Sequence, residues 1–274
     1  MKRIMVAMAV VLAVNCNEAP KEQTAEADMA SGNAAAAKTD TIDTETSKNE
    51  YPKNLSKVFE AHGGLDIWRK KRNLSFVIPK PDAAETHNID LYDRRDKIVM
   101  PTASMGYDGE NVWLMNEGKT YEGNAAVYHN LMFYFYAMPF VLADDGINYA
   151  DTEALEFEGK SYPGIHISYD DGVGASPKDD YYLYYDADTH KMAWLGYTFT
   201  FGSDKRSDDV SYIRYADWAE VDGVLLPKTL TWYINEGTII KDAKNPLYFE
   251  NISLSETVKP AGFYDMPEKA AAVE

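Results

Sequence analysis

The stretch NAAVYHNLMFYFYAMP, Asn124–Pro139, decides the fold. Asn124 is a fitting N-cap, and Pro139 stops a helix that has no other breaker. From Leu131 onward the segment is apolar on every side, and a helix of that kind is expected to be buried all round. It is too short to cross a bilayer, and His129 and Asn130 interrupt it. It therefore needs a wrapping of other elements.

The flanking sequence supplies strands. Leu155 and Phe157 alternate with Ala154, Glu156 and Glu158, and Ile165, Ile167 and Tyr169 alternate with His166 and Ser168. Leu195, Tyr197, Phe199 and Phe201 alternate with Gly196, Thr198 and Thr200; Leu230, Trp232 and Ile234 alternate with Thr229, Thr231 and Tyr233. A period of two marks strands with one buried face. Turn dipeptides separate the runs: Asp108-Gly109, Glu117-Gly118, Glu158-Gly159, Asp222-Gly223 and Glu236-Gly237. Such pairs between apolar runs signal hairpins. Pro227 opens its run, which suits an edge or a bulge. Upstream, Leu55, Val58, Phe59 and His62 fall at helical spacing over residues 52–62, and Gly63-Gly64 ends that helix before a short turn at Leu65 to Trp68. The expectation is a mostly β (α+β) domain over residues 51–274. In it one curved antiparallel meander forms an unclosed half-barrel around the hydrophobic helix, with a further helix at its N-terminal end.

Residues 17–50 contain no aromatic and almost no branched apolar side chain. They cannot bury enough surface to offset their ordering entropy, so residues 16–50 are expected to be a disordered tether spanning roughly 30 Å. The formal net charge is −17, and loss of residues 1–15, with Lys2 and Arg3 and no acid, makes it two units more negative. Such a surface repels phosphate backbones and argues against nucleic acid as a partner. The composition is rich in Tyr, with 20, a residue suited to strands and to half-wet surfaces. Cys16 is the one cysteine, so neither an internal disulfide nor a Cys-based metal cluster can form.

Lys2-Arg3, the apolar run Ile4 to Val14 and Cys16 together resemble a bacterial lipoprotein signal, although Asn15 stands where that family usually has a small residue. The resemblance implies a signal peptide at residues 1–15 and a lipid on Cys16. Three further segments, HGGLDIW at His62–Trp68, YHNLMFYFYAMPFVLADDGINY at Tyr128–Tyr149 and DWAEVDGVLLPKTLTWY at Asp217–Tyr233, resemble an uncharacterised Bacteroidota envelope lipoprotein family, a domain of unknown function. More distantly, the helix-then-meander order and EVDGVLLP are similar to Lol-type lipoprotein carriers. That similarity implies an unclosed barrel whose concave face, covered by helices, holds acyl chains. It also implies the outer membrane of a Gram-negative cell envelope as the location.

No catalytic pattern stands out. The histidines lack metal-ligand spacing, and no H-E-x-x-H is present. His62 lies on the apolar face of its helix, His166 is expected to face solvent, and His190 is in a turn. His87 and His129 are the polar groups that a pocket would hold. Ser203 and Ser211 lack a G-x-S-x-G context. The loop YDDGVGASPKDD, Tyr169–Asp180, offers oxygen ligands to Ca²⁺ or is a solvated acidic loop. No metal and no cofactor is assigned. The aromatic set carries more. Trp113, Tyr128, Met132, Phe133, Tyr136, Met138, Trp194, Tyr197 and Trp232 are expected to pack as core or to line a hydrophobic pocket between helix and sheet. The leading reading is a non-catalytic, membrane-anchored lipoprotein that binds a hydrophobic small molecule or acyl chain. The rivals are an envelope enzyme acting on glycans through carboxylates such as Asp170 and Asp180, and an acidic interaction module.

Overall fold

Helix α1, Lys53–Ala61, turns Leu55, Val58 and Phe59 into the core and ends where His62 gives way to Gly63 and Gly64. The computed structural model describes residues 51–273 apart from 82, 171–175, 202 and 204; the expected leader, Cys16 and the tether lie outside the described residues. Gly63 has φ +105°, and a Cβ there would stand 2.3 Å from the Gly223 carbonyl oxygen. The backbone passes against a hairpin at this point, and the Leu225 N–H donates to the His62 carbonyl at 2.9 Å. Helix α2, Leu65–Trp68, then stacks Trp68 on Phe140 at 4.5 Å.

The strands form two antiparallel sheets that curve around a third helix as an unclosed half-barrel. The first sheet contains β1 (Asn73–Ile78), β2 (Glu85–Asp90), β3 (Asp96–Val99), β4 (Ala103–Tyr107) and β5 (Val112–Asn116). The second is a continuous meander of β6 (Ile147–Phe157), β7 (Lys160–Tyr169), β8 (Tyr181–Tyr185), β9 (Met192–Tyr197), β10 (Ser211–Val221), β11 (Val224–Glu236) and β12 (Ile239–Ala243), with β13 (Leu247–Tyr248) paired to β11. The chain then returns. β14 (Glu250–Ser255) pairs with β1, and β15 (Ala271–Ala272) pairs with β5. One curved sheet is expected from the strand pattern, and two are found. The helix α3, Ala125–Tyr136, and a 3-10 turn, Phe140–Ala143, separate β5 from β6, so that ladder does not form.

The two sheets share one core. Leu74, Phe76 and Ile89 of the first sheet meet Ile167, Leu195 and Leu230 of the second, with α1 and α3 packed among them. Two tight turns follow the sequence signal closely. Glu158-Gly159 and Asp222-Gly223 both have positive φ at both residues, the type I′ geometry that suits strand twist. Glu117-Gly118 departs from the pattern: it leads into α3 and joins no hairpin. The alternation through Phe201 also stops early, because β9 ends at Tyr197. There Thr198 bonds Asp180, and the Thr200 N–H and Oγ1 both donate to Asp179 Oδ1, at 2.6 and 2.7 Å. The carboxylate takes the backbone donor that a ladder partner would have used. At the free edges, β6 exposes Asp151, Glu153 and Glu156, β12 carries Lys241 and Asp242, and β15 has only two residues.

Candidate functional site

The Asn124 side chain accepts from the Val127 N–H at 3.2 Å and caps α3, as the sequence suggests. The Ala137 N–H bonds back to Phe133, and Pro139 follows. Ala125, His129, Met132, Phe133, Phe135 and Tyr136 are buried, whereas Ala126, Val127, Asn130, Leu131 and Tyr134 are only half-buried. These half-buried positions recur at helical spacing and form a stripe. The expected burial on all sides is therefore incomplete, and the stripe is apolar apart from Asn130 and the Tyr134 hydroxyl.

The stripe faces a cavity of about 210 Å³. Tyr169, Tyr181 and Tyr197, from β7, β8 and β9, form the opposite wall. Burial pushes the pKa of all three tyrosines up, so their hydroxyls stay neutral. Phe199 and Phe201 stand at the rim with rings stacked 6.5 Å apart, 56% and 39% exposed. Asp144, Asp145 and Asp179 give the cavity one acidic side. Arg94 Nη2 donates to both Asp144 oxygens, at 2.7 and 2.8 Å. Burial still lifts the Asp144 pKa above the carboxylate value, against the pull of Arg94. Phe135 fixes the helix to the second sheet: its ring lies 4.9 Å from Tyr197 and 5.8 Å from Trp232, and its carbonyl accepts from the Tyr215 hydroxyl at 2.7 Å.

A second cavity, of about 270 Å³, lies on the first-sheet side of α3 and sets ionisable side chains among apolar ones such as Ile89 and Val112. Arg94, Asp96, Tyr107 and His129 line it together with Phe133, and Asn130 and Tyr134 belong to the lining of both cavities. His129 Nδ1 meets Asp96 Oδ2 at 2.7 Å. Burial pushes the Asp96 pKa up to about 6, although the His129 contact and the nearby Tyr107 N–H hold it down. Among the described residues, Asp96 Oδ1 and Arg94 Nη1 are buried without a hydrogen-bond partner. Such an atom costs about 1–3 kcal/mol.

Of the residues expected to form a hydrophobic pocket, only Tyr197 lines the apolar cavity. Trp232 stands behind it, its Nε1–H donating to the Tyr197 hydroxyl at 3.0 Å. Met132, Tyr136 and Met138 are core, with Tyr136 packed against Phe76 and Phe249 at 4.4 Å from each. Phe133 faces the second cavity. Trp113 is fully buried under the first sheet, its Nε1–H donating to the Tyr264 carbonyl at 3.3 Å. Trp194 belongs to a separate cluster with Phe157 and Tyr233. Tyr128 donates its hydroxyl to Glu85 at 2.6 Å. Val127 and Leu131 are lining residues that sequence reasoning missed. A helix apolar all round carries no moment by which to choose its phase, so the buried neighbours one residue away were equally eligible.

The expected pair His87 and His129 do not share a partner. His87 is buried, stacked on Phe76, and 3.4 Å from Glu85 Oε2. Burial pushes the Glu85 carboxyl up, but bonds from His87, Lys80 and Tyr128 outweigh it and hold the pKa at about 2. This cluster ties the start of α3 to β2. His166, expected in solvent, is half-buried and bonds Asp180 at 2.9 Å. Arg206 Nη1 bonds both Asp180 oxygens, Asp170 accepts from Asn148, and neither aspartate lines a described cavity. Part of the loop Tyr169–Asp180 lies outside the described residues. Among the described residues, no group of three or more His, Cys, Asp or Glu is arranged to hold a metal ion, and no helix is long and apolar enough to cross a membrane.

Residues 91–243 match the model of DUF6503, a family of unknown function. No curated protein matches the chain. Among solved structures, a LolA superfamily protein from Nitrosomonas europaea is similar, at 8% identity and a TM-score of 0.43, over 73% of this chain and 91% of that one. A DUF1329 family protein from Desulfovibrio piger is similar at 9% identity and a TM-score of 0.43, again over 73% and 91%. Likeness of this size fixes neither ligand nor activity.

Proposed function

We propose that this chain, which belongs to the DUF6503 family of unknown function, is a non-catalytic envelope lipoprotein that holds a hydrophobic, lipid-like ligand between α3 and its second sheet. The observation that carries the reading is the apolar cavity of about 210 Å³ along the half-buried stripe of α3. Every residue that lines it falls within the stretch matched to the family. An apolar cavity of about 150 Å³ takes up benzene, so this one has room for roughly eight carbon atoms. At about 0.8 kcal/mol per methylene, their burial contributes about 6 kcal/mol toward binding, against which the cost of immobilising the ligand is set. No bond needs to be made or broken for that role.

The proposed setting is the outer membrane of a Gram-negative bacterium of the Bacteroidota type. Residues 1–15 are the signal, Cys16 carries the acyl chains, and residues 16–50 are the tether that gives the domain reach. Val127, Leu131, Tyr134, Phe135 and Tyr197 are the proposed contacts with the ligand, and Phe199 and Phe201 mark the entrance.

Filling the cavity tests the reading. Val127→Trp, at a half-buried position on the stripe, is expected to weaken binding of a fatty acid of about eight carbons at least tenfold, with little change in thermal stability. Native mass spectrometry of the wild type and the variant measures it. A wild-type protein that takes up no fatty acid, or a variant that binds as well as wild type, refutes the role of the cavity.

A further inference from the structure

The apolar cavity beside α3 has a buried carboxylate on its wall. Asp179 lines it and is 3% exposed. The Thr200 N–H and Oγ1 both donate to Asp179 Oδ1, and Oδ2 receives no hydrogen bond among the described residues. That second oxygen is not sealed in. The enclosed side-chain atoms that lack a partner among the described residues include Asp96 Oδ1 but not Asp179 Oδ2. Burial, and after it the negative charge of Asp179, push the Tyr181 pKa up, so the carboxylate stands against the tyrosine wall. An aspartate is ionised at neutral pH, and a charge taken out of water is costly unless it is paired.

The basic side chains nearby are committed elsewhere. Arg94 pairs with Asp144, and Arg206 and His166 meet Asp180. Among the described residues, no Lys, Arg or His lines this cavity. A ligand carboxylate or phosphate would therefore bring a second negative charge close to Asp179 with nothing to offset either. A neutral ligand would leave the carboxylate as it is, whereas an organic cation would compensate it. The wall favours the same sign. Tyr169, Tyr181 and Tyr197 stand in a row, with 5.8 and 6.4 Å between neighbouring ring centroids. Aromatic rings attract cations, and neutral tyrosine hydroxyls accept hydrogen bonds from an ammonium.

We propose that the ligand of this cavity is an amphiphile whose polar end is an organic ammonium, held by Asp179 and the tyrosine wall, with its apolar chain along the half-buried stripe of α3. The ligand class rests on the reading that this cavity holds a hydrophobic guest.

The test titrates the full chain at neutral pH, by calorimetry, with three ligands of equal chain length: octylammonium, octan-1-ol and octanoate. Octylammonium is expected to bind at least tenfold more tightly than octanol, and octanoate is expected to bind the most weakly of the three. Asp179→Asn keeps an oxygen for the Thr200 donors and removes the charge. It is expected to bring the ammonium and the alcohol within twofold of each other, with the alcohol's affinity unchanged as the sign of an intact cavity. The wild-type ranking stands as a test even if the variant fails to fold. Equal binding of the three ligands to wild type, or tighter binding of octanoate than of octylammonium, overturns the cation site and leaves the apolar cavity standing. A folded variant that keeps the full preference removes Asp179 from the site. Failure of all three to bind overturns the cavity reading as well.

Discussion

At the scale of single residues, His62 enters the core uncharged. Its Nδ1 contacts the Val58 carbonyl oxygen at 2.7 Å, and its ring packs edge-on to Trp218 at 4.5 Å. Burial lowers its pKa from 6.5 to about 4, against the pull of the Val58 contact. The unfolded chain takes up a proton near pH 6.5, and the folded chain takes it up only near pH 4. Between these values the unfolded state binds more protons, so this histidine's contribution to stability falls as pH falls through that window. The span corresponds to roughly 3 kcal/mol. His62→Gln removes the titration, so the stability advantage of wild type over the variant is expected to shrink by about that much between pH 7 and pH 4. Urea midpoints at the two pH values measure it, and a gap that does not change with pH rules the linkage out. The sequence made His62 legible as a core histidine, because three apolar residues share its helical face. It could not pair His129 with Asp96 or Tyr128 with Glu85, since both pairings depend on where α3 lands against the first sheet.

At the scale of elements, the glycine pair after α1 separates two physical causes. Gly63 and Gly64 both have positive φ, at 105° and 89°. A Cβ on Gly64 meets nothing within 4 Å, whereas one on Gly63 runs into the Gly223 carbonyl. Gly64→Ala is expected to cost about 1–3 kcal/mol from backbone strain alone. Gly63→Ala is expected to cost more, because backbone has to move and the bond between Leu225 and His62 lies in the way. Chemical denaturation of both variants measures the difference, and equal costs would remove the steric contact from the account. The same pair ended α1 in the sequence reading, and local signals of this sort were the readable ones: the Asn124 cap, the proline stop, the type I′ dipeptides. The end of β9 was not readable. Thr198 and Thr200 look like outward positions of a strand until Asp179 and Asp180, about twenty residues earlier, arrive to bind them. Phe199 and Phe201 thereby leave the sheet and reach the cavity rim.

For the whole molecule, the proposed anchor and the charge act in opposite directions. The chain's net charge of −17 gives no electrostatic attraction to anionic headgroups, so the proposed residence at a membrane would rest on Cys16. Cys16→Ser is expected to move the protein from the membrane fraction to the soluble one. Fractionation and intact-mass measurement of the wild type check this, and a variant that stays with the membrane excludes acylation as the tie.

An unclosed half-barrel leaves strand edges unpaired, and unpaired edges template association between copies. Lipid-tethered copies share a two-dimensional surface, where neighbours meet far more often than in free solution. Asp151, Glu153 and Glu156 along the β6 edge then put like charge where two β6 edges would join, and Lys241 and Asp242 make the β12 edge charged as well. An open architecture with charged edges of this kind can thus be packed densely on a surface without the copies knitting into fibrils.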